Sequence, residues 1–134
     1  GIYRIDDYAM SPSCIDGDII FFDRTKKEYQ AGELVVFSKD GKKQIRRIVA
    51  VPGDQVEVTQ DGLIINGYLQ LEREAAIKTI PFDNFVSYPL QLNAQEYFVL
   101  SDKRDSAMDS RWYGSINKEE IQGSVILLFR RRDF

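Results

Sequence analysis

Apolar residues in this chain come in short runs separated by turn residues, and nowhere do they sustain the 3.6-residue spacing of an amphipathic helix. Residues 19–22 (Ile-Ile-Phe-Phe) and 34–37 (Leu-Val-Val-Phe) are β-branched and aromatic runs of strand length. Asp40-Gly41 joins the second run to residues 44–51, which predicts a hairpin. Pro52-Gly53-Asp54 ends that strand, because proline cannot donate to a ladder and glycine tolerates the turn. Residues 56–59, 63–65 and 68–71 follow, punctuated by Asp61-Gly62 and Asn66-Gly67, in the pattern of a β-meander. Residues 72–93 have no clean period; they read as a loop with one strand at 84–88. The strand pattern resumes at 97–100 and closes with 125–129. Asn117 and Glu120 are spaced as a capping box, with Gly123 suited to end a helical turn. The sum is a mainly β, coiled-sheet or barrel-type domain over 1–134, with at most one or two short helical turns.

Composition narrows the possible chemistry. At 134 residues the chain holds one core, and two domains would be a squeeze. A net charge of −3 argues against a nucleic-acid partner, which would call for a basic surface. Basic residues gather at Lys39, Lys42, Lys43, Arg46 and Arg47 and again at 130–132, the usual composition of solvated faces. Cys14 is the sole cysteine, so no internal disulfide forms, and beside a turn it reads as a small, semi-buried apolar residue. The chain has no histidine. That removes Ser-His-Asp and Cys-His catalysis and leaves no transition-metal site or cofactor to expect. The longest apolar run, 125–129, is far short of the ~20 residues that span a bilayer.

Three segments carry a resemblance. Asp7-Tyr8-Ala9-Met10-Ser11-Pro12-Ser13, followed by Gly17-Asp18, is similar to the first motif of the type I signal peptidases, Ser-Met-x-Pro-Thr before a Gly-Asp strand entry. Residues 45–54, Ile-Arg-Arg-Ile-Val-Ala-Val-Pro-Gly-Asp, resemble the second, in which Lys-Arg precedes apolar residues and Pro-Gly-Asp. Residues 97–114, with Asp102, Asp109, Arg111 and Gly114, look like the third. The motifs stand in the family's order and at its spacing along nearly the whole chain. The resemblance implies that family's coiled-sheet fold. It also implies an extracytoplasmic domain whose single-pass membrane anchor precedes the first motif.

The same alignment empties the chemistry. A signal peptidase needs a serine nucleophile, a neutral lysine base, a hydroxyl that orients the lysine, and donors for the oxyanion. The serine position holds Ala9 and the lysine position Arg46. A guanidinium has a pKa above about 12 and cannot accept the serine proton. Lys42 shares the face of Arg46 in a strand but lies about 13 Å along it, at roughly 3.3 Å per residue, and Lys43 points the other way. The lysine-orienting serine aligns with Ala107, and Asp7 brings a carboxylate to the oxyanion region, where its charge has the wrong sign. Ser11, Ser13 and Cys14 stand nearby without matching the reactive position. By contrast, Gly17, Asp18, Pro52, Gly53, Asp54, Asp102, Asp109, Arg111 and Gly114 match the family's turn and packing residues.

Two functions follow from the resemblance. In the first, the chain is a non-catalytic homologue in which Tyr8, Met10, Pro12, Ile45, Arg46 and Tyr113 line a peptide cleft, because pairing of an extended peptide with a sheet edge needs no nucleophile. Arg46 is suited there to anchor a partner's carboxylate. Such degenerate proteins accompany Gram-positive pilus operons, which implies a chaperone-like role in pilus assembly with pilin subunits or a sortase as partners. In the second, the chain is a type I signal peptidase, a serine endopeptidase inactivated by an engineered Ser-to-Ala change or working through displaced residues.

Overall fold

The computed structural model describes residues 1–71, 79–81, 85–105 and 108–131. It is built from two antiparallel sheets. The larger has the order β1-β2-β11-β3-β4-β9-β10 and the smaller β7-β6-β5-β8. The elements of the larger are β1 (Ile2–Arg4), β2 (Ile19–Asp23), β3 (Leu34–Lys39), β4 (Lys42–Ala50), β9 (Glu96–Leu100), β10 (Ile116–Asn117) and β11 (Ile121–Phe129). The smaller comprises β5 (Gln55–Thr59), β6 (Gly62–Ile65), β7 (Tyr68–Leu69) and β8 (Leu90–Gln91). Between β9 and β10 lies one helical turn, α1 (Ser110–Tyr113). A 3-10 turn, Lys118–Glu120, precedes β11 and carries the expected capping box of Asn117 and Glu120.

The hairpin of β3 and β4 forms because Asp40 and Gly41 both take positive φ, 51° and 78°, which matches the twist of the flanking strands. Asn66 and Gly67 do the same between β6 and β7. Among the described residues three apolar clusters form the core. One joins Val35, Phe37 and Ile48 to Tyr97, Val99 and Ile116. A second gathers Ile5, Met10, Cys14, Ile20, Val36 and Ile45. The third, with Ala50, Val56, Val58, Leu63, Leu92 and Phe98, joins the small sheet to the large one.

Several expectations shift. No strand occupies 85–88, and residue 84 lies outside the described residues; pairing begins at Leu90, immediately after Pro89, where β8 meets β5. The strand expected at 68–71 stops at Leu69. Gly123 does not end a helical turn. It sits inside β11, where a Cβ would meet the carbonyl oxygen of Asp23 at 2.1 Å, so glycine is required by the close passage of β2. Within the basic run at 130–132, of which residue 132 lies outside the described residues, Arg130 is not simply solvated, since it forks onto the buried carboxylate of Asp18.

Candidate functional site

The loop from β1 to β2 carries the first motif, and its shape follows from its own residues. Ile5 and Asp18 close its neck, with the Ile5 N–H donating to the Asp18 carbonyl at 2.8 Å and Gly17 donating back to Ile5. Met10 and Cys14 fold inward as apolar anchors, completely buried. Asp18 accepts the Ile15 N–H, and hydrogen bonds from Arg130 hold its carboxyl below the usual range. On the other side Asp102 ties this loop to the strands. Arg47 donates to both its oxygens at 2.8 and 2.7 Å, and Ser13 donates at 2.6 Å. Burial works against the Asp102 charge, yet the bonds from Arg47 and Ser13 outweigh it and keep its carboxyl low. Finally, the Lys103 N–H donates to the Ala9 carbonyl at 2.9 Å, so the first and third motifs are stitched together beside residue 9.

The third motif rests on a fully buried ion pair. Arg111 donates to Asp109 from Nε at 3.0 Å and from Nη2 at 2.8 Å. The Asp109 carboxylate also accepts the Ser101 N–H and the Arg111 N–H, capping α1. Gly114, at φ 81°, ends the turn. In the second motif Gly53 adopts φ 90°, and Asp54 accepts the Val51 N–H at 3.0 Å and the Asn66 amide at 2.9 Å.

An open cleft of about 590 Å³ lies between the first and third motifs and the N-terminal half of β4, lined by Asp7, Tyr8, Ala9, Lys39, Asp40, Lys42, Gln44, Arg46, Met108, Trp112 and Tyr113. Strand alternation explains the β4 contribution: Lys42, Gln44 and Arg46 share one face. The Arg46 side chain is almost wholly buried. It donates from Nε to the Met108 carbonyl at 2.9 Å and from Nη1 to the Ile45 carbonyl at 2.6 Å. Tyr113 donates its hydroxyl to Gln44 at 3.2 Å, and burial pushes that phenol well above its ordinary pKa. Lys39 pairs with Glu120 at 3.4 Å. Trp112 is half-exposed on the wall, its ring 4.1 Å from that of Phe85.

Asp7 bends over the nucleophile position. Its Oδ1 accepts the N–H of Ala9 at 3.1 Å. In serine acyl transfer, the N–H of the nucleophile residue is a donor to the tetrahedral oxyanion. A carboxylate already there takes up the donor and repels the charge that would form. Among the described residues lining the cleft, none is Ser, Thr or Cys. Ser13 is engaged by Asp102, and Cys14 is buried, with burial and then the nearby Asp102 and Asp18 carboxylates pushing its thiol up to about 11.

Of the six residues expected to line a peptide cleft, Tyr8, Arg46 and Tyr113 lie in the wall of this one. Met10 and Ile45 are core residues instead. Ile45 points to the face of β4 opposite Arg46, and Met10 packs beside it. Pro12 is exposed outside the cleft, its carbonyl turned toward Arg130. Ala107 lies outside the described residues. Gln44 and Trp112 were not singled out by sequence reasoning; the period-two spacing of Lys42 and Arg46 was the signal that implicates Gln44, and no sequence signal marks Trp112.

The profile of the family described as signal peptidase, peptidase S26, matches residues 1–129. The chain belongs to the signal peptidase family. Its relatives include signal peptidase I S of Bacillus subtilis (strain 168), 32% identical over 139 residues that cover 95% of this chain and 75% of that protein. Signal peptidase I P of Bacillus subtilis subsp. natto is 29% identical over 140 residues, with the same two coverages. Among solved structures, a signal peptidase I from Enterococcus faecalis V583 superposes with a TM-score of 0.60 at 25% identity, covering 76% of this chain and 100% of that one. The mainly β, signal-peptidase-like fold expected from the motifs is therefore the fold of this family member.

Proposed function

We propose that this signal peptidase family member holds an extended peptide segment in its cleft without cutting it. The observation that carries the reading is the pair of substitutions at one spot: the Asp7 carboxylate occupies the Ala9 N–H, and a buried, hydrogen-bonded guanidinium stands at residue 46. The guanidinium cannot accept the serine proton, and the Asp7 carboxylate takes up the donor and opposes the charge of the oxyanion that serine hydrolysis requires. What remains is a cleft with aromatic walls beside residues 42–46 of β4, which pair with β3 on one side and not with β9 on the other, the features that receive a peptide by backbone pairing and side-chain docking. The narrower role is that of a chaperone-like factor at the extracytoplasmic face, anchored there by a preceding helix and assisting pilin assembly with a sortase. That step follows from resemblance to degenerate family members, and its check is genetic. Deleting the gene is expected to remove surface fibres while preproteins are still processed; intact fibres with a processing defect would reject it.

The names of the relatives favour a second reading, a signal peptidase that hydrolyses preproteins. One experiment separates the two. Ala9→Ser combined with Arg46→Lys restores the nucleophile and base types and leaves Asp7 in place. With a preprotein substrate followed by mass spectrometry, the double variant is expected to stay below ~0.01 s⁻¹, against the 1 s⁻¹ or more of ordinary enzymes. Loss of a serine nucleophile costs about a millionfold in kcat, so the assay has ample range. Turnover at ordinary rates would establish hydrolysis as the function this scaffold retains.

A further inference from the structure

Arg46 is an unusual floor for a peptide cleft. Its guanidinium is buried, and a buried charge is costly unless a counter-charge and hydrogen bonds meet it. Two backbone carbonyls engage Nε and Nη1. Among the described residues no carboxylate lies within ion-pair distance of it, and Nη2 has no acceptor. Nor is Nη2 sealed in, since the one buried side-chain atom lacking a partner among the described residues is the Tyr88 hydroxyl. An unused, solvent-reachable donor on a buried cation that lines a cleft is therefore directed at whatever enters. Further along the same face of β4, Lys42 is exposed, lines the same cleft and pairs with no carboxylate among the described residues. The two acids of the lining are placed differently. Asp7 is committed to the Ala9 N–H, and Asp40 stands at the exposed hairpin turn.

We infer that the cleft selects a peptide bearing a carboxylate, which docks on Arg46 Nη2 with Lys42 as the outer cation. This rests on the peptide-binding reading above and adds to it the chemistry of the docked residue. A carboxylate completes the hydrogen bonding of the guanidinium and neutralises its charge, which a small apolar side chain cannot do. The carboxylate comes either from an Asp or Glu side chain or from a free C-terminus; the chemistry at Arg46 is the same.

The test uses the full chain and three fluorophore-labelled decapeptides of alternating Ala and Val. One carries a central Glu with blocked ends, one a central Gln with blocked ends, and one the central Gln with a free C-terminal carboxylate. Fluorescence anisotropy is expected to show about tenfold tighter binding of a carboxylate-bearing peptide than of the neutral one, the size of a charge-assisted hydrogen bond. The Glu arm and the free-terminus arm tell the two sources apart. Lys42→Gln, about 13 Å along the strand from Arg46, should weaken the preference by about twofold or less, the reach of a screened surface charge, and Arg46→Gln should abolish it. Equal binding of all three peptides, or a preference that survives both substitutions, overturns the carboxylate site and leaves the peptide-binding reading intact. If none of the three binds, both fall.

Discussion

At the scale of single residues, the molecule separates side chains that hold the frame from side chains that face the cleft. Asp109 is the clearest of the first kind. Its carboxylate meets the Arg111 guanidinium on both oxygens, caps α1 and accepts the Ser101 N–H, all with no exposure to water. Asp109→Asn keeps the shape and deletes the charge, leaving Arg111 buried opposite a neutral amide. Breaking a buried pair from one side costs about 3–5 kcal/mol. Urea unfolding at pH 7 should show a loss of that size with an unchanged m-value, and a loss under about 1 kcal/mol would mean the pair is not what holds the third motif in place. Ala9 and Arg46 are of the second kind. The serine that motif one leads a reader to expect is replaced by a methyl group 7% exposed, behind the acid that binds its own N–H.

At the scale of elements, the sequence was most readable where local chemistry decides the outcome. The β3–β4 hairpin was legible from Asp40-Gly41 because those residues tolerate positive φ. The capping box at Asn117 was legible because its two side chains act within four residues. Elements decided by distant partners were not. β1 is three residues long and exists because Ile2–Arg4 pair with β2. Gly123 looked like a helix stop, since a glycine three residues after Glu120 has that meaning locally; its real reason lies a hundred positions earlier, in the Asp23 carbonyl that leaves no room for a Cβ. The cleft shows the same division. Strand alternation put Lys42 and Arg46 on one face, whereas the sorting of Met10 and Ile45 into the core depended on which side of β4 the first loop packs. Likewise the disagreement of charge at Asp7 was visible in the sequence, but the hydrogen bond to Ala9 required the fold.

At the scale of the whole molecule, ionisable groups bracket the pH range in which the fold is stable. Asp18 and Asp102 are held below their ordinary values by Arg130 and by Arg47 with Ser13. A depressed carboxyl stabilises the folded state fully above the unfolded value, about 3.9, and that contribution disappears as the pH falls through the lower folded value. On the alkaline side the signs reverse. Burial raises Cys14 to about 11 and Tyr3 and Tyr88 to about 12. Each favours the folded state in its neutral form, so stability declines once the pH exceeds the unfolded values, near 8.5 for a thiol and 10 for a phenol. Urea midpoints measured from pH 2 to 11 should therefore form a plateau between about pH 5 and 8, with a fall below pH 4 and another above pH 9. Cys14→Ala should delay the onset of the alkaline fall, and Arg47→Gln should flatten part of the acid one; midpoints unchanged by either would remove these groups from the account.

The tilted ring pair of Trp112 and Phe85 has a practical meaning. Trp112 is the chain's only tryptophan, and its indole lies on the cleft wall, 43% exposed, instead of in the core. Its indole emission, excited beyond the absorption of the seven tyrosines, is consequently the emission of the cleft. Exposure of the indole and the neighbouring Phe85 ring both bear on its colour and yield, so an unlabelled occupant of the cleft announces its arrival in that band.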